Sequence, residues 1–301
     1  MIVAVVLTFA APDGMLEDCV ASVLAAGGVG RLVVVDNGDL ATRRLIGITG
    51  GDTAVEVIVT GSNLGYAGGM NVGIRRALEL GADAVLILND DLVVEADAVR
   101  FLAAALDDVS QAGDRLGAVQ PKLLLASSEP PRVNSVGVVL GRDGAGTDIG
   151  SGELDGPTFE GLTEIEMFTG GAVLLSAAFL RDVGMFDERF FLYYEDVDLA
   201  LRGGERGWTF RCEGRARVWH RGGASALHEG VRLRTVHLRE RNRLWVLVRH
   251  RSSADTARGC WLSIRRMRWA PRWVHTGALA AGVAAAPRLL AARRVARKRP
   301  R

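Results

Sequence analysis

The chain has 301 residues, enough for one large α/β domain or two smaller ones. Its composition, with 49% hydrophobic residues, 24% charged residues and 37 glycines, excludes a disordered protein, a collagen and a coiled coil. The three cysteines, Cys19, Cys212 and Cys260, are far apart in sequence, which excludes a small zinc or disulfide scaffold and favours a reducing cytosol.

The near-neutral net charge conceals two parts of opposite sign. Residues 1–201 carry 12 Lys and Arg against 30 Asp and Glu, whereas residues 202–301 carry 25 against 5. This asymmetry favours an anionic partner for the C-terminal part, either nucleic acid or the headgroups of an anionic membrane. The alternative is a solvated, arginine-rich helix surface with no partner.

The first hundred residues alternate apolar runs with helical patterns. The predicted elements are strands at 2–7, 31–35, 55–59 and 84–88, and helices at 15–26, 70–80 and 96–106. Strands that are apolar throughout are buried on both faces, as in a parallel sheet. Residues 1–110 therefore predict an open, doubly wound sheet, in which ligands bind at the carboxyl ends of the strands.

The rest of the chain reads differently. Residues 119–166 are irregular and rich in glycine, which predicts short strands and loops crossing one edge of the sheet. Helices are predicted at 176–183 and 195–204, and again from residue 226 to the end. The longest apolar run there, 276–286, is shorter than the ~20 residues needed to cross a bilayer, so no transmembrane helix is predicted.

Two polar triplets follow predicted strands. The triplet Asp-Asn-Gly at 36–38 offers a carboxylate and an amide to a base or a ribose hydroxyl, or it forms a simple turn. The triplet Asn-Asp-Asp at 89–91 offers paired oxygen ligands for Mg²⁺ or Mn²⁺ on a diphosphate, or it caps the helix that follows. The residues alone leave both interpretations open.

Three further segments contain residues suited to chemistry. The glycine-rich segment 61–71 opens a helix, where backbone N–H groups can approach a phosphate, although it matches neither the Walker nor the dinucleotide-binding pattern. An aromatic run at 191–194 precedes an acidic segment, 195–198, which suits a general base with a raised pKa or a simple helix start. His220 precedes a flexible loop at 221–225 and suits a metal or a phosphate, although a lone histidine more often has a structural role.

Taken together and in this order, these segments resemble the family 2 inverting glycosyltransferases, and among them the bacterial rhamnosyltransferase-like branch. The resemblance covers about residues 1–250 and is carried mainly by the segments 63–71, 88–91 and 184–198. It implies the GT-A fold, a doubly wound, mostly parallel α/β sheet that binds a nucleotide-diphospho-sugar. A basic helical C-terminal extension follows that sheet here.

The resemblance also implies roles for individual residues. Asp196, with Glu195 beside it, is expected to be the catalytic base that deprotonates an acceptor hydroxyl. Asp91 and His220 are expected to hold a divalent cation, Mg²⁺ or Mn²⁺, near the diphosphate. The residues expected on the acceptor side are Gly170, Gly171 and Asp198. The residues expected to bind the nucleotide-sugar are Thr8, Asp36, Asn63, Gly65, Asn71, Asn89 and Asp90.

The sequence departs from the family pattern at three places. The first strand ends in Thr-Phe-Ala at 8–10 where the family usually has Thr-Tyr-Asn, which removes one expected contact to the base. Asn89 replaces a more common aspartate and weakens the local negative charge. Asp39 replaces a small hydroxyl residue. None of these changes removes the expected catalytic base.

The resemblance implies transfer of a sugar, L-rhamnose from dTDP-L-rhamnose, to a hydroxyl of a cell-envelope glycan or a polyprenyl-diphosphate-linked precursor. Within the family, a UDP-sugar transferase such as a galactofuranosyltransferase is the alternative. A nucleic-acid-binding protein would explain the basic C-terminal part but would leave the acidic motifs without a role, so no nucleic-acid partner is expected. A non-catalytic sugar-nucleotide-binding subunit is a third possibility.

Beyond residue 225 the sequence becomes helical and basic and lies largely outside the catalytic resemblance, which suggests a division of the chain. We expect a catalytic domain at 1–225, with a nucleotide-sugar half at 1–115 and an acceptor half at 116–225, and a basic helical region at 226–301. Arginines and tryptophans alternate in that last region, as in helices that lie in a membrane interface. We therefore expect a cytoplasmic protein bound peripherally to the inner face of the cell membrane. The tryptophans concerned are Trp245, Trp261, Trp269 and Trp273.

Overall fold

A computed structural model describes residues 1–12, 14–38, 54–111, 115–222, 229–268 and 271–298. Its strands are β1 (Ile2–Thr8), β2 (Val29–Asp36), β3 (Val55–Val59), β4 (Ala84–Asn89), β5 (Leu92–Val94), β6 (Leu116–Leu125), β7 (Val133–Ser135), β8 (Val138–Leu140), β9 (Gly146–Asp148), β10 (Leu162–Ile165), β11 (Ala172–Ser176) and β12 (Thr209–His220). Its helices are α1 (Met15–Ala25), α2 (Gly65–Glu79), α3 (Ala98–Gln111), α4 (Ala177–Val183), α5 (Glu195–Gly204), α6 (Glu229–His250), α7 (Ser253–Arg266) and α8 (Arg272–Lys298).

Ten of the described strands form one mixed sheet, eight of them in the order β10-β12-β6-β11-β4-β1-β2-β3, with β5 paired to β12 and β7 to β6. Strands β8 and β9 form a separate two-stranded sheet. The half of the main sheet built from β4, β1, β2 and β3 is parallel, because β1 pairs with β2 and β4, and β2 with β3. The apolar runs predicted these strands correctly. Beyond β4 the sheet continues through the antiparallel strand β11, and the long strand β6 is buried over nearly all of its length. The expectation of short strands at the sheet edge is therefore wrong for β6, which lies inside the sheet.

Hydrophobic side chains cover both faces of the sheet. On one face, α1 and α3 pack against alternate residues of the central strands. On the other face, α2, α4 and α5 do so, together with Trp245 and Val246 of α6 and Leu289 of α8. The C-terminal helices therefore belong to the same core as the sheet. The expected boundary at residue 225/226 falls in 223–228, outside the described residues. Helix α6, after this boundary, packs directly on strands and helices that precede it.

Helix α2 begins at Gly65, five residues before the predicted start, so much of the glycine-rich segment is helical. The glycines allow close packing. A Cβ atom on Gly73 would overlap the Val5 side chain of β1, and one on Gly65 would overlap the Phe191 carbonyl. Gly65 also has a φ of +72°, a left-handed conformation that glycine adopts without strain.

The C-terminal helices differ in exposure. Trp245 of α6 is 6% exposed and packs edge-to-face on Phe190, so the expectation of a tryptophan at a membrane surface is wrong for this residue. Trp261 and Trp273 are each 54% exposed, and Trp269 lies outside the described residues. Within the described chain, one segment, Arg272–Arg293 of α8, is long and apolar enough to cross a membrane by length and composition. Its mean hydropathy is 1.2, and a third of it is buried in the protein.

Candidate active site

Three strands bring polar residues to one edge of the sheet. Thr8 at the end of β1 lies opposite Asp36 of β2, and Leu7 lies opposite Asn89 of β4. Because these strands are parallel, their carboxyl ends meet at the edge where doubly wound sheets bind ligands. Thr8, Asp36 and Asn89 therefore lie on neighbouring strands at this edge, and their contact with a nucleotide-sugar stays a prediction.

Within the triplet at 36–38, Asp36 and Asn37 have different roles. Asp36 is 2% exposed, and its Oδ1 accepts a hydrogen bond from the Gly38 N–H at 3.0 Å. The Asn37 side chain shapes the next loop, because its Oδ1 accepts from the Leu64 N–H and its amide nitrogen donates to the Gly65 carbonyl, both at 3.0 Å. Asn37 thus fixes the glycine-rich segment relative to β2.

The Asp90 side chain lies near the end of β1 and beside the Asp91 carboxylate. Burial raises the pKa of Asp90, and the Asp91 carboxylate raises this pKa further, against hydrogen bonds from Thr8 and the Phe9 N–H that lower it. The Phe9 N–H lies 3.4 Å from Asp90 Oδ2. Adjacent carboxylates of this kind favour a cation or a proton between them.

Asp91 and His220 form a contact at the same edge. Asp91 is 6% exposed, and its Oδ2 lies 3.0 Å from His220 Nε2. The other ring nitrogen, Nδ1, lies 2.7 Å from the Asn134 side-chain oxygen. Because an amide oxygen accepts, Nδ1 is the donor in the contact with Asn134.

This pair fits a hard divalent cation that takes its remaining ligands from a substrate. Asp91 Oδ1 is buried and has no hydrogen-bond partner among the described residues, which leaves one oxygen available for a cation. Mg²⁺ and its relatives are commonly held by one or two carboxylates together with substrate phosphates. In the described ranges, no group of three or more His, Cys, Asp or Glu side chains is arranged to hold a metal alone. A diphosphate would complete the site.

Two consecutive glycines connect this edge to the start of α5. The Gly171 carbonyl accepts a hydrogen bond from the Asn89 N–H at 2.9 Å. The Gly170 N–H donates to Asp196 Oδ2 at 2.8 Å, and the Gly170 carbonyl accepts from the Tyr66 hydroxyl at 2.5 Å. The main chain at 170–171 therefore places Asp196 beside the strand end that carries Asp90 and Asp91.

The two acidic residues at the start of α5 have different surroundings. Asp196 Oδ1 accepts from the Val197 N–H at 2.8 Å, so each of its oxygens has a backbone donor. Burial raises the pKa of Asp196, and these N–H groups oppose the rise. Burial and the Asp196 charge raise the pKa of Glu195 well above the ordinary range. Because Glu195 Oε2 is buried with no hydrogen-bond partner in the described chain, Glu195 is the member of the pair that holds a proton.

Two more residues complete the electrostatics around Asp196. Burial is the main cause that raises the pKa of Tyr66, and the Asp196 charge raises this pKa further, which keeps the hydroxyl protonated and able to donate. Asp148 at the end of β9 faces both Asp196 and His220, and burial raises the pKa of this carboxyl. Asp148 thus interacts electrostatically with both the base candidate and the cation-site candidate.

Several residues expected to contact substrates have other roles. Asn71 is 2% exposed, and its side chain hydrogen-bonds both the N–H and the carbonyl of Phe186. Asp198 is fully buried and pairs with Arg202, Arg249 and His250, each at 2.9 Å. Arg202 and the two partners on α6 hold the pKa of Asp198 well below its usual range, despite the opposing effect of burial.

These positions correct two expectations. Asn71 fixes the segment after α4 to α2, and Asp198 fixes α5 to α6, so the polar atoms of both side chains are bonded to protein partners rather than to a donor or an acceptor. Asn63 is exposed, but its Oδ1 accepts from the Gly65 N–H at 2.8 Å and shapes the loop. Sequence reasoning missed Tyr66 and Asp148, because tertiary contacts alone bring them to the site.

The sheet and the acidic edge together define the GT-A class of glycosyltransferase folds. Three solved structures share this fold. They are GalNAc-T7 with UDP, GalNAc and Mn²⁺ (TM-score 0.65, 12% identity, 82% of this chain and 47% of that chain), residues 1–349 of S. aureus TarS (0.56, 13%, 97% and 82%), and the mannosyltransferase PcManGT of Pyrobaculum calidifontis with GDP-Man and Mn²⁺ (0.53, 16%, 96% and 78%).

Residues 4–117 match the family described as glycosyl transferase family 2, which confirms the family resemblance for this part of the chain. The chain is 26% identical over 178 residues to the low-salt glycan biosynthesis hexosyltransferase Agl10 of Haloferax volcanii (58% of this chain, 53% of the relative). It is 28% identical over 180 residues to N-acetylglucosaminyl-diphospho-decaprenol L-rhamnosyltransferase of Mycobacterium tuberculosis (55% and 58%). The chain thus spans about half the length of the curated relatives it matches.

Proposed function

We propose that the protein is an inverting glycosyltransferase that moves a sugar from a nucleotide-diphospho-sugar to an acceptor hydroxyl, with Asp196 as the general base. The observation that carries the proposal is the link through 170–171, which joins Asp196 to the strand end bearing Asp91. A base and a diphosphate site must lie on one edge of the sheet for a single displacement, and this link supports that arrangement.

In the proposed reaction, an Asp196 oxygen accepts the proton of the acceptor hydroxyl. The acceptor oxygen forms a bond to the anomeric carbon while the bond from that carbon to the diphosphate oxygen breaks on the opposite side. The nucleoside diphosphate leaves with the electron pair, and the anomeric configuration inverts. The N–H groups of Gly170 and Val197 orient the Asp196 carboxylate for this proton transfer. Glu195, held protonated, leaves Asp196 as the charged member of the pair.

Asp91 and His220 would hold a divalent cation against the leaving diphosphate. When bound, such a cation neutralises the charge that develops on the leaving group. Two of the solved structures that share the fold contain Mn²⁺, which supports a divalent cation in general. Thr8, Asp36 and Asp90 are proposed to contact the nucleotide part of the donor, because they lie on neighbouring strand ends.

The proposed donor is dTDP-L-rhamnose, and the proposed acceptor is a cell-envelope glycan or its polyprenyl-diphosphate-linked precursor. The name of the mycobacterial relative, an L-rhamnosyltransferase acting on a diphospho-decaprenol, supports both. Two of the structures that share the fold contain UDP and GDP-Man, respectively, so the test covers donors with different bases.

The proposal is tested by calorimetric binding of dTDP, UDP and GDP, each with and without Mn²⁺, to the wild type, Asp91→Ala and Asp97→Ala. Asp97 is a matched control because it is an exposed aspartate just before α3 that pairs with Arg100. We expect cation-dependent binding of one nucleotide that weakens at least tenfold in Asp91→Ala and stays unchanged in Asp97→Ala. Absence of binding by all three nucleotides, with absence of transfer from their sugars, would refute the proposal.

We further propose that residues 226–301 bind the cytoplasmic face of an anionic membrane. In this proposal residues 1–225 form the transfer site, with a donor half at 1–115 and an acceptor half at 116–225. Trp261 and Ile264 of α7 are 54% and 55% exposed, and Val283 of α8 is 76% exposed. Trp261 also borders a cavity of about 610 Å³ that three arginines line. Exposed tryptophan beside arginine suits the headgroup region of an anionic bilayer. The arginines are Arg142, Arg258 and Arg265.

Flotation with phosphatidylglycerol vesicles tests this surface. A chain truncated after Ser252 would lose α8, which packs against α6 and into the core, so a loss of flotation could reflect misfolding. The double variant Trp261→Ala/Ile264→Ser is expected to lose flotation, and Leu154→Ala, which changes an equally exposed side chain elsewhere, is expected to keep it. If the double variant floats as well as the wild type, α7 is not the membrane contact.

A further inference from the structure

The segment that leads into α5 has an unusual backbone. Phe191, Tyr193 and Tyr194 have φ values of 67°, 70° and 70°, in the left-handed region that side chains with a Cβ atom rarely adopt. Tyr194 directly precedes Glu195 and Asp196. Strained conformations of this kind persist only where neighbouring structure holds them in place, and they often occur at functional sites.

A single side chain of α6 contacts most of this segment. Asn242 is fully buried, and its amide nitrogen lies 3.0 Å from the carbonyl of Phe190, 2.9 Å from that of residue 192 and 2.7 Å from that of Tyr193. Arg241 Nη2 donates to the Phe190 carbonyl at 2.7 Å. The donors therefore come from a helix about 50 residues further along the chain.

The aromatic rings of the segment also contact α6. The Arg234 guanidinium lies over the Phe191 ring at 5.3 Å, and the Arg239 guanidinium lies over the Tyr193 ring at 4.2 Å. Cations at such distances are attracted to the ring faces. One face of α6 thus binds both the main chain and the side chains of residues 190–193, which we call the strained segment.

The strained segment contacts the two parts of the proposed active site. The Phe191 carbonyl accepts from the Ala67 N–H at 3.2 Å, at the start of α2, and a side chain at Gly65 would overlap this carbonyl. At its other end, the segment sets the direction of α5 and hence of Asp196. Its conformation therefore affects both the glycine-rich segment and the base.

We infer that Asn242 is a positioning residue for sugar transfer, which holds the strained segment so that Asp196 faces the acceptor hydroxyl. This inference rests on the proposed function for its catalytic consequence. Asn242 touches no reacting atom. Without its amide, the partly buried carbonyls of residue 192 and Tyr193 lose this donor, and carbonyls that lose a donor favour another backbone conformation.

The test compares Asn242→Ala with Ser263→Ala, which removes another fully buried hydrogen-bonding side chain from the C-terminal helices without touching the strained segment. In Asn242→Ala we expect the amides of residues 191–198 to exchange hydrogen about tenfold faster or more, with exchange in β1 and β4 unchanged. We expect kcat to fall about a hundredfold, because misplacement by ~1 Å has such an effect. The affinity for the nucleoside diphosphate with Mn²⁺ should change less than about threefold, because the proposed nucleotide contacts lie on other strands. Asn242→Ser keeps one donor, so its kcat and its exchange rates at 191–198 should lie between those of Asn242→Ala and the wild type.

Two results would overturn the inference. One is unchanged exchange at 191–198 in Asn242→Ala. The other is a loss of kcat no larger than that of Ser263→Ala at a temperature where both variants are folded. Should the wild type transfer no sugar from any donor, the proposed function fails, and the exchange measurement still decides whether Asn242 holds the segment.

Discussion

Replacing Asp196 by asparagine tests the proposed base directly. Asparagine keeps the size of the side chain, but its amide nitrogen cannot accept, so it keeps only one of the two backbone hydrogen bonds from Gly170 and Val197. The lost bond costs about 1 kcal/mol of stability, and removal of a buried charge offsets part of this cost. General bases contribute about 10²- to 10⁴-fold to rates, so kcat should fall by that factor, equivalent to roughly 3 to 5 kcal/mol.

The assay measures release of the nucleoside diphosphate in the presence of acceptor, alongside calorimetric binding of that nucleotide and thermal unfolding. Binding should be unchanged, since Asp196 is proposed to contact the acceptor and not the nucleotide. In the wild type, kcat/KM should fall as the pH drops through the raised pKa of Asp196, so the acid limb lies above the ordinary aspartate value of about 3.9. A variant that keeps kcat within tenfold of the wild type would refute the role of Asp196 as the base.

Three further predictions concern stability. Glu195→Gln should raise Tm, and by more at pH 8 than at pH 5, because Glu195 is protonated when folded and ionises when unfolded above about pH 4.3. Gly65→Ala should lower the free energy of unfolding in urea by more than Gly61→Ala, because both have positive φ but only Gly65 faces the Phe191 carbonyl. For His250, burial lowers the pKa and bonds to two carboxylates raise it by more, so its contribution is complete below about pH 6.5 and is lost at higher pH. His250→Gln should therefore lower Tm more at pH 6 than at pH 9.

The local hydrophobic pattern of the sequence was sufficient to predict the strands of the parallel half of the sheet. Continuous apolar runs located β1, β2, β3 and β4, and parallel pairing alone brings the ends of these strands together. That is why Asp36 and Asn89 could be placed at one edge from the sequence.

Residues whose partners lie far along the chain could not be placed in this way. Asp198 appeared to belong to an acidic helix start, and its partners Arg249 and His250 come from a helix some 50 residues later. Asn71 follows the glycine-rich segment, and its partner Phe186 lies 115 residues away. Spacing along a sequence does not reveal such pairs, because they depend on how the helices dock.

The contacts of α6 with the segment before α5 also affect the order in which the chain folds during synthesis. The strands up to β4 can pair as soon as they leave the ribosome, because their contacts are comparatively near in sequence. The segment before the acidic turn at 195–196 gains the support of α6 only after Asn242 has emerged and packed. Completion of the proposed site is therefore a late event of folding, and a nascent chain that ends before α6 would have a formed sheet edge and an acidic turn without this support.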